Sequence, residues 1–231
     1  MIYKKKQKII NWLDKHGITN YTINDDCTID VDRDVNLTYK SLKKFPSFIQ
    51  FGIVKGNFHC SYNELISLKG SPREVGGCFY CAHNKLKSLK GAPMYVVGYF
   101  NCNYNKLKSL KGAPKKVGSF DCSLNNLKTL QGAPREVSDS FYCTNNKLKS
   151  LKGAPKEVGG NFYCTNNKLK SLKGVPIEVM GDFDCGRNKL TSLKGAPETV
   201  GGVFVCTVNA TRFTEDDVKK VCKVGKNIYV V

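Results

Sequence analysis

The sequence predicts an α/β repeat protein, mainly β: an open solenoid of short parallel strands, with a helical N-terminal cap and a helix-strand C-terminal cap. Three observations predict it. Phe-x-Cys recurs at Phe58/Cys60, Phe79/Cys81, Phe100/Cys102, Phe120/Cys122, Phe141/Cys143, Phe162/Cys164, Phe183/Cys185 and Phe204/Cys206, in steps of 20 or 21 residues. Seven copies continue as x-x-Asn-x-Leu-x-x-Leu, then for the most part Lys-Gly-Ala-Pro, two variable residues and Val. A unit this short cannot bury its own apolar side chains, so each copy must stack on the next and the core becomes a column.

Residues 1 to 55 read as the N-terminal cap. A helix is expected over 3–16, with Ile9, Ile10, Trp12 and Leu13 on one face and Gly17 as its stop. Thr28-Ile29-Asp30-Val31-Asp32 and Val35-Asn36-Leu37 alternate as half-buried strands, and Leu42, Phe45 and Pro46 suggest a degenerate first repeat. Residues 56 to 208 form the repeats. Phe and Cys, two apart on a strand, point the same way, so stacking builds one ladder of Phe and one of Cys at about 4.8 Å spacing. Each buried Phe contributes about 2 kcal/mol, so no copy dominates. The repeated Asn, as in Asn84, Asn105, Asn146, Asn167 and Asn188, follows the strand where its amide can bond the backbone of the next coil. Gly-Ala-Pro then sends the chain back. Residues 209 to 231 form the C-terminal cap: Thr214 and Asp217 cap a helix reaching about Lys223, with Val218, Val221 and Cys222 inward, and Asn227 to Val231 make a last strand.

This pattern resembles the leucine-rich repeat in its shortest bacterial form, with Phe and Cys in place of the usual strand leucines. The resemblance covers residues 56 to 208 and implies a right-handed solenoid. The wording Val-Gly-Gly-x-Phe-x-Cys-x-x-Asn-Lys-Leu-x-Ser-Leu-Lys-Gly-Ala-Pro resembles uncharacterised repeat proteins of large bacteriophages, which implies a viral protein acting in a bacterial cytoplasm. Met1-Ile2-Tyr3-Lys4-Lys5-Lys6 lacks the apolar run of a secretion signal, and no apolar stretch approaches a membrane span, so a cytoplasmic, membrane-free protein is expected.

Little in the sequence points to catalysis. There are three histidines, His16, His59 and His83, and no phosphate loop, nucleophile elbow or paired-carboxylate spacing. Cysteines in a row that point the same way do not converge tetrahedrally on zinc, and they read as small core hydrophobes. Cys78 stands off the ladder with no obvious partner. Asp30-x-Asp32-x-Asp34 echoes a calcium loop, but Val35 and Ser41 occupy the positions that need Gly and Glu, so it reads as a polar strand face. No catalytic residue, metal or cofactor is expected.

The residues before and between Phe and Cys, and the two after Cys, are expected on the exposed concave side. The candidate protein-binding set is His59, Tyr62, Tyr80, His83, Tyr99, Asn101, Tyr104, Tyr142, Asn145, Tyr163, Asn166, Asp184 and Arg187, with Asn57, Asp121 and Asp182 on the same face. Rigid amphipathic rings cost little entropy to order and are enriched in recognition surfaces. The plainer alternative is that cross-strand tyrosines merely cover the sheet.

Charge lies elsewhere. Lysines and arginines number 37 against 19 acids, a net charge of +18, and 32 of the 37 are lysine. Lys87, Lys108, Lys149 and Lys170 recur in a row that could track a polyanion, although stacked lysines repel by roughly 0.8 kcal/mol per pair at 5 Å in water. Scarce arginine argues against base readout. The reading that follows is a non-enzymatic protein that binds a partner protein through the tyrosine-rich face; the bacteriophage resemblance implies that the partner is a host protein, such as an antiviral defence component, which it inhibits or sequesters. Nucleic-acid binding through the lysine rows ranks second and capture of a small anionic nucleotide third. The sequence leaves the oligomeric state open.

Overall fold

The computed structural model describes residues 2–230. Helix α1 (Ile2–Lys15) turns Ile9 and Leu13 into the end of the core, and Gly17, with φ of 68°, stops it. A strand not anticipated from the sequence, Tyr21–Ile23, then pairs antiparallel with Ile29–Val31 and closes this end of the column.

Each coil contributes two short strands rather than the single one that Phe-x-Cys predicts. One carries the Val of the return limb, as in Glu74–Val75 and Glu157–Val158; the other carries the Phe, as in Phe79–Tyr80 and Phe162–Tyr163. A short bend separates them, with at least one Gly in every Phe-x-Cys coil but that of Ser138-Asp139. Where Val97 takes the first bend position, and where the 20-residue coil lacks one residue, the segments fuse into Tyr95–Asn101 and Lys116–Asp121. Repeat strands pair in parallel, Phe opposite Phe and Val opposite Val, for example Phe141↔Phe162 and Val137↔Val158. The Phe ladder extends beyond its eight copies: Val35–Asn36 pairs with Phe58–His59, and Ile228–Tyr229 with Phe204–Val205. This is a mainly-β solenoid of stacked parallel strands, and among the described residues helices occur only at its ends.

Inside, neighbouring Phe rings from Phe58 to Phe183 stack with centroids 5.1–6.0 Å apart. The Cys ladder and the Leu and Val rows complete a core with almost no exposure. The repeated Asn does what its position implies. Asn146 Nδ2 donates to the carbonyls of Cys122, Cys143 and Thr144 at 3.0, 3.3 and 3.2 Å, and its Oδ1 accepts from Leu127 N at 3.0 Å. Among the described residues no buried side-chain nitrogen or oxygen lacks a partner. The return turn needs Gly: Gly132 has φ of 91°, and a Cβ there would lie 2.9 Å from Lys111 N of the coil below.

The C-terminal helix α2 (Glu215–Lys219) carries the expected capping box between Thr214 and Asp217 but ends before Lys223. Lys223–Val224 is drawn into the Val ladder against Thr199–Val200, so the helix must stop to let the chain reach it. Val221, expected inward, sits on that link and is 40% exposed, whereas Val218 and Cys222 are buried. The last strand is Ile228–Tyr229; the expected strand's final residue, Val231, lies outside the described residues.

Candidate functional site

Side chains that leave the core are sorted into rows by the coil register. The first row is the residue between Phe and Cys: His59, Tyr80, Asn101, Asp121, Tyr142, Tyr163 and Asp184 follow one another along the ladder. The second is the residue before Phe. The bend leaves its amide without a strand partner, and the side chain of the coil below supplies one. Cys78 N donates to Asn57 Oδ1 at 2.8 Å, Tyr99 N to Cys78 Sγ at 3.2 Å, Asn161 N to Ser140 Oγ at 3.0 Å and Asp182 N to Asn161 Oδ1 at 2.8 Å. Cys78 therefore has a partner that its sequence neighbours did not reveal.

The acidic run at the N-terminal end belongs to the same scheme. Asp30 Oδ1 accepts from Ile53 N at 2.7 Å, Asp34 Oδ1 from Asn57 N at 2.7 Å, and Asp32 pairs with Lys55 at 2.7 Å. The Asn57 hydrogen bonds hold the Asp34 carboxyl below its usual range. Among the described residues no group of three or more His, Cys, Asp or Glu is placed to hold a metal ion. Burial pushes the ladder thiols far up, with Cys206 raised to about 12. Several donate to carbonyls of the next coil, as Cys102 does to Asp121 O at 3.2 Å. These buried thiols pack as small hydrophobic groups in the core.

The third row reaches the surface by a route that alternation does not give. Tyr62, His83, Tyr104, Asn145, Asn166 and Arg187 each have φ between 49° and 53° and form a rim where the strand ends, beside the first row. Strict alternation would drive the second residue after Cys into the core. The left-handed conformation swings it outward and lets the following Asn point in, at a cost of about 1 kcal/mol per residue. Hydrogen bonds to the next coil offset that cost, such as Tyr62 N to Ala82 O at 3.0 Å and Asn145 N to Thr165 O at 3.0 Å. The signal was present: Asn, which tolerates this conformation, stands at two of these positions.

The rim and the strand row form two lines of stacked rings. Tyr39, Tyr62, His83 and Tyr104 stack at 4.7, 4.3 and 4.1 Å, and His59 on Tyr80 at 4.7 Å. Between them small side chains, Thr38, Ser61 and Ala82, floor a groove of about 310 Å³. A second aromatic pair, Tyr142 and Tyr163, meets edge to face at 5.4 Å further along. Beside it the rim carries Asn145 and Asn166, joined by a side-chain hydrogen bond, then exposed Arg187, while Asp184 Oδ1 accepts from Gly186 N at 2.8 Å.

Asp121, expected on the surface, is instead buried between the two aromatic groups. Its carboxylate accepts from Tyr99 Oη at 3.0 Å, Asn103 Nδ2 at 2.8 Å and Ser123 N at 2.8 Å, so desolvation is met by three donors. Burial first, and this carboxylate second, hold the Tyr99 hydroxyl well above its usual range, so it remains a donor. Tyr99 thus braces the face through its hydroxyl and edge-packs on Tyr80 at 6.0 Å. Lys87, Lys108, Lys149 and Lys170 are exposed on the limb beyond the buried Asn row, away from the rings.

No family model matches the sequence, and no curated protein matches it. Among solved structures the chain is similar to a Shigella effector LRR domain, with 16% identity and a TM-score of 0.49 over 85% of this chain and 80% of that one. It is also similar to YopM from Yersinia enterocolitica WA-314, with 17% identity and a TM-score of 0.41 over 76% of this chain and 47% of that one.

Proposed function

We propose that the chain is a non-enzymatic binding module that grips a protein through its two rows of rings. The observation that carries this reading is the pair of stacked lines, His59–Tyr80 and Tyr39–Tyr62–His83–Tyr104, flanking a groove with a small-residue floor. Stacking and the inter-coil hydrogen bonds pre-order these rings, so a partner meets little entropic resistance on closing over them. Tyr80, Tyr142 and Tyr163 are the anchors, each half-buried. Tyr62, His83, Tyr104, Asn145, Asn166 and Arg187 border them, and His59, Asn101 and Asp184 complete the strand row. In the finer reading, which rests on the resemblance to bacteriophage repeat proteins, the partner is a host protein in the bacterial cytoplasm, held so as to inhibit or sequester it. A component of antiviral defence suits that role.

A tagged pull-down from nuclease-treated bacterial lysate tests this, washed at about 0.5 M salt, where the Debye length is near 4 Å. A stoichiometric protein is expected to survive the wash with the natural chain and to be lost with Tyr142→Ala/Tyr163→Ala, a change of 2 kcal/mol or more on hot-spot magnitudes. Equal recovery by the double variant would refute the use of this face.

A further inference from the structure

A second surface is built on the limb that follows the buried Asn row. There the chain reads Lys-Leu-Lys in successive coils, and the two flanking positions form parallel rows on either side of buried Leu86, Leu107 and Leu127. Lys106, Asn126 and Lys147 belong to one row and Lys87, Lys108 and Lys128 to the other; together they line a groove of about 590 Å³. No carboxylate lines it, and none of the five ammonium groups takes part in an ion pair among the described residues. Lys85, one coil earlier, is by contrast tied to Glu64 at 2.8 Å.

The platform under these charges is fixed. Lys106 N donates to Leu86 O, Asn126 N to Leu107 O and Lys147 N to Leu127 O, each at 2.9 Å. Leu86 N and Leu107 N are held by Asn105 and Asn125 at 3.0 and 2.9 Å. The fold thus holds like charges side by side at the coil spacing of about 4.8 Å, where each raises the free energy of its neighbours. A partner that supplies acceptors in a line relieves that repulsion.

The shape selects among anionic chains. A phosphodiester strand carries one charge on every unit along a continuous ridge, which five flexible lysines can meet, one row unbroken and the other interrupted only at Asn126. An extended acidic peptide shows alternate side chains to opposite faces, so half of its charges point away from the groove, whereas every phosphodiester unit of a strand carries one. Lysine presents a point charge without the fork that reads guanine, and no aromatic side chain lines the groove to rank bases by stacking.

We propose that this groove binds the backbone of single-stranded nucleic acid without regard to base sequence, on a surface separate from the rings that engage protein. Fluorescence anisotropy of a labelled dT20 oligonucleotide and a mixed-sequence 20-mer with the full-length chain, between 50 and 300 mM NaCl, tests it. The two oligonucleotides should bind within about threefold of each other, with log K falling linearly in log salt at a slope near −3.5 for five neutralised phosphates. Lys106→Gln/Lys108→Gln/Lys128→Gln should weaken binding at least tenfold at 100 mM salt and reduce the slope by about 2. Lys4→Gln/Lys5→Gln/Lys8→Gln, which removes equal charge from exposed sites on α1, should change affinity less than twofold. Circular dichroism of both variants should match the natural chain. Equal weakening by the two triple variants would overturn the proposal, because net charge alone would then explain binding. Absence of oligonucleotide binding would also overturn it, as would tighter binding of poly-glutamate than of dT20, which would assign the groove to acidic protein.

Discussion

Replacing Asn146 by Ala isolates the device that joins one coil to the next. Asn146 is 8% exposed, and its amide makes four contacts with two coils. The consequences are unequal. Cys122 O keeps the amide of Asn125 at 3.1 Å, and Cys143 O keeps that of Asn167 at 3.0 Å. Thr144 O still accepts from Leu124 N at 3.0 Å. Leu127 N loses its acceptor and is left buried without one. An orphaned amide costs about 1–3 kcal/mol, and the two N–H groups that serve the three carbonyls are worth about 1 kcal/mol each net, so the substitution should cost about 3–5 kcal/mol. Urea unfolding followed by circular dichroism reads this as a lower midpoint at unchanged slope. Asn145→Gly, one residue away on the exposed rim, removes a similar side chain but relaxes a φ of 53°, and should shift stability by less than about 0.5 kcal/mol. Asn146→Asp supplies a sign test. Its carboxyl must carry a proton to donate to the carbonyls, so its folded pKa rises above the unfolded value of about 3.9. The folded chain then holds the proton more tightly, and stability relative to the natural chain should fall as pH rises through 4 and level off above the folded value. A loss below about 1 kcal/mol for Asn146→Ala, or a pH trend of the opposite sign, would refute this account of the Asn row.

Other outcomes follow from the same geometry. The Cys-ladder thiols should resist a disulfide reagent at pH 8 in the native chain and react fully in denaturant, while the partly exposed Cys78 reacts first; rapid native labelling of Cys122 or Cys143 would contradict their burial. Gly132→Ala should destabilise by about 2 kcal/mol or more in the same urea assay, because the new Cβ must accept a φ of 91° and a close approach to Lys111 N.

Much of the fold was legible because the repeat fixes it. A Phe-x-Cys phrase at constant spacing forces in-register stacking, and the Asn that follows it has one place where four backbone partners converge. The second strand of each coil was not legible, since a two-residue segment such as Glu157–Val158 has no period of its own and becomes a strand only against its copies. The end of α2 was missed for a related reason: Val221 fits a helical face, but the Val ladder claims Lys223–Val224. At the candidate site, alternation along the strand accounts for the order of the first row but not for Asp121, whose burial depends on donors from Tyr99 and Asn103 in the neighbouring coil. The left-handed residue that turns the rim outward leaves no period in the sequence beyond the Asn at two of its positions.

The most direct test of the central claim is site-specific photocrosslinking within the captured complex. A benzophenone side chain would replace Tyr104 on the rim, Tyr142 on the strand row, or exposed Lys152 on the return limb. The account predicts adducts to the partner from Tyr104 and Tyr142 and none from Lys152. Adducts from Lys152 alone, or equally from all three positions, would contradict it.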